Sequence, residues 1–228
     1  MKRKHGLLLV TLLFVGIIFG SNWVDRMEII KTVSTGGDAY HLELIENRGW
    51  IAVSDWHNAV VRLYDLELNP LFTVGVSNPR GLHYDESNGY LYVASYGSTN
   101  LQVIDLDQRK VIRSLATGAY PINMAQSKAG KLYVVNHTGD SITIIDSNTL
   151  QLVKTIAVGS RPYGIDYDPV QNTMYITLQN ANQLVILDCA TEEIVKKTVG
   201  QKPLGVQVLP GNKIAVANTG DSTIWIMD

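Results

Sequence analysis

Cysteine is almost missing from this chain, with one thiol, Cys189, in 228 residues. A lone cysteine excludes an intramolecular disulfide, a Cys-x-x-Cys redox pair, a cysteine-rich zinc site and a Cys-x-x-Cys-His haem attachment. Charge is scarce as well. Charged residues make up 18% of the chain, against roughly 25% in ordinary soluble domains, which predicts a fold that buries much of itself. Basic residues do not cluster beyond Lys2, Arg3, Lys4 and His5, and the formal charge is −2. Nucleic acid, which needs clustered Lys and Arg, is therefore not an expected partner. The familiar catalytic signatures are also absent: no Gly-x-Ser-x-Gly elbow, no His-Glu-x-x-His, no P-loop and no dinucleotide fingerprint.

What is present begins with an address. The basic flank is followed by an apolar run from Gly6 to Gly20 that includes Leu7, Leu8, Leu9, Val10, Leu12, Leu13 and Phe14. This is the pattern of a secretory signal. The residues upstream of Gly20 and Ser21 include Ile18 and Phe19, a poor fit to the small residues that cleavage prefers. A removed signal and an uncleaved membrane anchor (residues 1–21) therefore remain equal readings. Both keep the positive flank in the cytoplasm and export the rest. Residues 22–26 read as a linker. Without Lys2, Arg3 and Lys4, 16 basic residues face 21 acidic ones, so the exported part carries about −5. Cys189 falls at an expected turn, where an exposed but inert thiol is the reading.

A repeat of about forty residues organises the remainder. Five segments align without a gap: Ile51–Asp65, Leu91–Asp105, Leu132–Asp146, Met174–Asp188 and Ile214–Asp228. Their closing aspartates lie 40, 41, 42 and 40 residues apart. Each unit holds short β-branched runs broken by Gly, Pro, Asn and Asp. In Ser141-Ile142-Thr143-Ile144 polar and apolar residues alternate, as in a strand. Four strands per repeat at this period predict an all-β chain of propeller blades over residues 27–228. The closing aspartates are expected to bond backbone amides of the next turn.

The stretches LYVVNHTGDSITIIDSNTLQLVKTIAVGSRPYGIDYDP and LYVASYGSTNLQVIDLDQRKVIRSLATGAYP resemble the YVTN-type, surface-layer family of β-propeller repeats, a WD40-like architecture. The resemblance implies that Gly164–Asp168 is an innermost strand, followed outward by Leu132–Asn136, Ser141–Asp146 and Leu152–Val158 type strands. Counting strands on that analogy gives five four-stranded blades, fewer than the seven of many relatives, with Met27–Val33 joining the last blade to close the ring. An open arc completed by a second chain is the other solution. Relatives include haem-dependent and lactone-cleaving proteins, but no catalytic motif of theirs matches this chain residue by residue.

Propeller topology also sorts residues by face. One set of loops carries Trp56, His57, Tyr96, His137 and Gln179. A second set, around Asp38-Ala39-Tyr40, Asn78-Pro79-Arg80, Tyr120-Pro121 and Arg161-Pro162-Tyr163, shares its side of the ring. Trp56, His57, Arg80, Tyr96, Tyr120, His137, Arg161, Tyr163 and Gln179 are thus the candidate ligand-binding residues. Aromatics beside Arg are the composition of binding hot spots, although the same rings suit packing between blades. The partner expected is an envelope or extracellular protein or a small ligand, in the periplasm or at the cell surface. Membrane contact would come through the N-terminal segment if it is uncleaved. On the inner strands, His41, Glu43, His83, Asp166 and Gln207 are expected to face the channel. No cofactor is expected, but such a ring would suit Ca²⁺ or another divalent cation, or ordered water. A hydrolase acting in the channel through His83, Glu43 and Asp166 is the alternative reading.

Overall fold

The computed structural model describes residues 29–228, so the expected signal or anchor and the linker lie outside the described residues. Blade 1 is built from β1 (Ala39–Ile45), β2 (Trp50–Asp55), β3 (Val60–Asp65) and β4 (Pro70–Gly75). Blade 2 holds β5 (Pro79–Asp85), β6 (Tyr90–Ser95), β7 (Asn100–Asp105) and β8 (Lys110–Ala116). Blade 3 holds β9 (Pro121–Gln126), β10 (Lys131–Asn136), β11 (Ser141–Asp146) and β12 (Gln151–Ala157). Blade 4 follows with β13 (Pro162–Asp168), β14 (Thr173–Leu178), β15 (Gln183–Asp188) and β16 (Ile194–Thr198). Blade 5 contributes β17 (Pro203–Leu209), β18 (Lys213–Asn218) and β19 (Thr223–Met227). Every sheet is an antiparallel meander ordered from inner to outer strand. The chain is an all-β propeller of five consecutive sheets.

Alternation along each strand serves two interfaces at once. Ile142 and Ile144 of β11 are fully buried against Met174, Ile176, Val185 and Leu187 of blade 4. Ile145 of the same strand, with Leu132 and Val134 of β10, packs on Tyr92, Leu101 and Val103 of blade 2. The same arrangement joins blades 1 and 2 and blades 4 and 5. Each such fully buried aliphatic side chain contributes about 1.5–3 kcal/mol. This explains the low charge content, because both faces of a middle blade must be apolar.

The closing aspartates do what their position suggests. Asp146 Oδ1 accepts the amides of Asn148 and Thr149, each at 3.0 Å. Asp188 accepts Ala190 and Thr191 at 2.7 and 2.8 Å, and Asp105 accepts Asp107 and Gln108, both at 2.9 Å. Asp228, in the last copy, instead bonds the Lys213 ammonium at 2.9 Å. We expect Asp146→Ala to lower stability by about 1 kcal/mol and Asp146→Asn, which keeps the acceptor, to lower it less. Urea unfolding midpoints read the difference.

Two expectations require correction. Cys189 is buried, not exposed, because its turn folds under blade 4 and joins the core between blades 3 and 4. Burial pushes its thiol pKa up, which reinforces its inertness. Among the described residues the closing strand is also not formed. Ile29–Val33 has no strand structure, and the fifth sheet has three strands among the described residues; Met27 lies outside them. The stretch runs instead beside blade 1, where Lys31 Nζ bonds Asn69 Oδ1 at 2.9 Å. The physical reason is curvature. β1 and β17 do not pack on each other as the other neighbouring inner strands do. Leu42 is 38% exposed although its counterpart Leu82 is 3% exposed. Ile224 is 74% exposed where Ile142 is fully buried. Among the described residues the five blades therefore form an arc with two uncovered apolar ends.

Candidate functional site

One hydrogen bond recurs at every blade and shapes the upper face. The amide of the residue that follows each second strand donates to the carbonyl at the residue preceding the adjoining inner strand. The pairs are Trp56 to Asp38, Tyr96 to Asn78, His137 to Tyr120, Gln179 to Arg161 and Thr219 to Lys202, at 2.9–3.1 Å. Four of those carbonyl residues precede proline yet have left-handed φ: Asn78 at 45°, Tyr120 at 57°, Arg161 at 51° and Lys202 at 48°. Proline disfavours compact conformations at the residue before it, so the repeated hydrogen bond holds a strained turn. The side chains of Tyr120 and Arg161 are thereby left exposed on this face.

Two positions further on, the repeats carry Tyr40, Arg80, Ile122, Tyr163 and Leu204. Four are apolar or aromatic, and Arg80 is the exception. Its guanidinium lies 4.1 Å from the Tyr40 ring centre, 4.6 Å from Tyr96 and 5.1 Å from Trp56. Such cation–π contacts each contribute about 0.5–2 kcal/mol depending on desolvation. The rings continue outward. Tyr96 meets Tyr120 edge-on at 5.0 Å, and His137 meets Tyr163 edge-on at 5.6 Å. Tyr40 and Tyr163 join hydroxyls at 2.7 Å across the channel mouth, from blade 1 to blade 4. Burial pushes the Tyr163 phenol pKa up. His137 is buried and its Nδ1 donates to the Pro162 carbonyl at 3.0 Å, which fixes the ring.

The structure thus gathers Trp56, Arg80, Tyr96, Tyr120, His137 and Tyr163 into one connected surface. His57 and Arg161 are exposed at its margin and Gln179 is half-buried, none of them in these ring contacts. Tyr40 is the member that the candidate set lacks. Its signal was available in register, since Tyr40 follows Ala39 as Arg80 follows Pro79.

Below the tyrosine pair lies a cavity of about 250 Å³ whose lining includes His41, Leu82, Asn123, Gly164, Leu204 and Gly205. The inner-strand side chains are occupied in tying blades together. His41 Nδ1 accepts the Leu82 amide at 3.2 Å, and Glu43 Oε1 accepts the Tyr84 amide at 2.7 Å. Asp166 Oδ2 accepts the Val208 amide and the Gln207 side chain at 2.7 and 2.8 Å. His83 Nε2 meets Gln126 Oε1 at 2.9 Å, while the Gln126 amide nitrogen donates to Asp85. That orientation makes His83 the donor, so its Nδ1 lone pair faces Glu43 at 3.8 Å, beyond hydrogen-bond reach. Burial lowers the pKa of His41 and His83, raises that of Asp166 and pushes Glu43 up to about 7. Among the described residues no group of three or more His, Cys, Asp or Glu side chains is placed to hold a metal ion. His41, Glu43, His83, Asp166 and Gln207 do not converge on one point.

No protein-family model matches the chain, and no curated protein matches it. Solved structures do. A hydrazine synthase of Kuenenia stuttgartiensis is 17% identical at a TM-score of 0.70, covering 93% of this chain and 69% of that one. A functionally unknown protein from Desulfotomaculum acetoxidans DSM 771 is 14% identical at a TM-score of 0.71, covering 86% of this chain and 71% of that one. Likeness at this identity shows the propeller fold.

Proposed function

We propose that this chain is an exported, YVTN-type propeller that acts as a non-catalytic binding module at the cell envelope. The observation that carries the reading is the aromatic surface around Arg80. Trp56 is 41% exposed and Tyr120 is 39% exposed, so the rings are held in place by the chain without being covered by it. Preorganised aromatics with an arginine at their centre are how interfaces concentrate affinity in few residues. The apolar N-terminal run supports export, and the motif resemblance supports the repeat family. A hydrolase working in the channel has less support, because the inner-strand side chains are engaged with backbone and the tyrosine pair narrows the mouth.

The test is crosslinking in the native envelope followed by partner identification, with Trp56→Ala and Tyr120→Ala beside the parent chain. Both variants are expected to fold, since neither ring belongs to a buried core between blades, and to lose at least tenfold in partner capture. Capture that is unchanged in both would remove the upper face as the binding surface.

A further inference from the structure

We propose that Arg80 anchors a subsite for a carboxylate group, an inference that rests on the upper face being the binding surface and names what it takes. The position itself is the first ground. Its counterparts Tyr40, Ile122, Tyr163 and Leu204 show that the fold needs only an apolar or aromatic side chain there. A charge at such a place costs desolvation that its apolar counterparts avoid. Yet no carboxylate of the described residues forms a salt bridge with Arg80; the ion pairs formed are elsewhere. Tyr40, Trp56 and Tyr96 cushion the cation without neutralising it.

The geometry of the guanidinium selects the ligand. Its Nε is fully buried and has no hydrogen-bond partner, which leaves the two terminal nitrogens of a half-exposed side chain to meet a ligand end-on. Two parallel N–H donors in a plane match the two oxygens of a carboxylate. A single positive charge also suits a monoanion better than a dianionic phosphate, which usually draws several basic groups or a cluster of backbone amides. The flanking Trp56 and Tyr96 rings favour a flat, unsaturated or aromatic group behind that carboxylate.

Sodium benzoate is the probe, titrated into the purified exported domain with Trp fluorescence as readout and benzamide as its uncharged counterpart. Trp56→Phe identifies the share of the signal that reports on this site. Benzoate is expected to saturate with a Kd on the order of millimolar, as a single small contact gives. Benzamide is expected to bind at least tenfold more weakly, and Arg80→Gln to weaken benzoate at least tenfold. Equal binding of benzoate and benzamide overturns the proposal without any variant having to fold. So does benzoate binding that Arg80→Gln leaves intact, or a titration that never saturates. In the envelope crosslinking, benzoate is expected to compete with the partner. Capture that is lost in Trp56→Ala but indifferent to benzoate and to Arg80→Gln keeps the binding face and discards the carboxylate. Benzoate binding alongside capture unaffected by Trp56→Ala keeps the subsite and discards the face as the partner surface.

Discussion

Gly164→Ala is expected to lower stability by about 2–3 kcal/mol, while Gly205→Ala, at the same place in the next blade, is expected to leave it unchanged or raise it by about 0.5 kcal/mol. Neither glycine has left-handed φ, so only space differs between them. A Cβ on Gly164 would fall on the carbonyl oxygen of Leu204, part of the following inner strand. That oxygen cannot retreat easily, because it accepts the Thr177 hydroxyl at 2.9 Å, and the same hydroxyl accepts the Gly164 amide at 2.8 Å. A Cβ on Gly205 would meet only the Cβ of Ala217 at 3.6 Å, an ordinary contact, because no blade packs beyond it. Chemical denaturation of the two variants reads the contrast directly. Equal losses at both sites would mean that something covers the blade 5 end in solution.

The second large effect is on pH dependence. Glu43 titrates near 7 because burial penalises its charged form, despite the Tyr84 amide that it accepts. Its folded pKa thus lies above its unfolded value near 4.5. The folded state binds the extra proton between those limits, so the contribution is complete below about pH 4.5 and is lost as pH rises through 7. A rise of that size corresponds to about 3 kcal/mol. Burial raises Asp166 in the same sense but lowers His41 and His83, whose contribution has the opposite sign and grows as pH rises toward their ordinary value. The parent curve therefore sums opposing terms, and only the comparison with a Glu43 variant isolates this group. Glu43→Gln retains an oxygen for the Tyr84 amide and carries no proton to lose. The variant should match the parent near pH 4.5 and exceed it by about 3 kcal/mol at pH 8, in urea unfolding across that range. A difference between Glu43→Gln and the parent that stays flat from pH 5 to 8 would refute the assignment. Asp55 and Asp85 have the opposite sign. Burial pushes each up, but hydrogen bonds from Asn58 and Arg62, and from Ser87, Gln126 and Ser147, outweigh it. Their contribution is present above the ordinary carboxylate range and is lost as pH falls through their lowered values.

The blades were legible in the sequence because a repeat states its own period five times. Strand β11 coincides with the expected Ser141–Asp146 since alternation and the closing Asp mark both of its ends. Closure was not legible. The pattern of Met27–Val33 gives a strand the means to form, but whether its partner edge is near depends on the angle between blades, which no single repeat encodes. The resemblance to propeller repeats put Glu43 and Asp166 on inner strands, where β1 and β13 hold them. It could not reveal that each reaches the amide of the next blade, because that is a matter of reach and tilt. Arg80 and Tyr163 were found by loop position, whereas the Tyr40 contact joins residues 123 positions apart and belongs to tertiary structure alone. Cys189 shows the same limit from the other side, a turn residue by sequence that packing draws inward.

The recurring bond from loop amide to the carbonyl before each inner strand has a consequence for how such a face changes over time. It is made by main-chain atoms at all five places, so it does not depend on which side chain stands there. Trp56, Tyr96, His137, Gln179 and Thr219 occupy equivalent mounts, differing in chemistry while the backbone beneath them keeps one geometry. On the binding reading proposed above, the scaffold separates the work of staying folded from the work of recognition. Substitutions at these mounts can retune what the surface contacts without renegotiating the architecture that displays it.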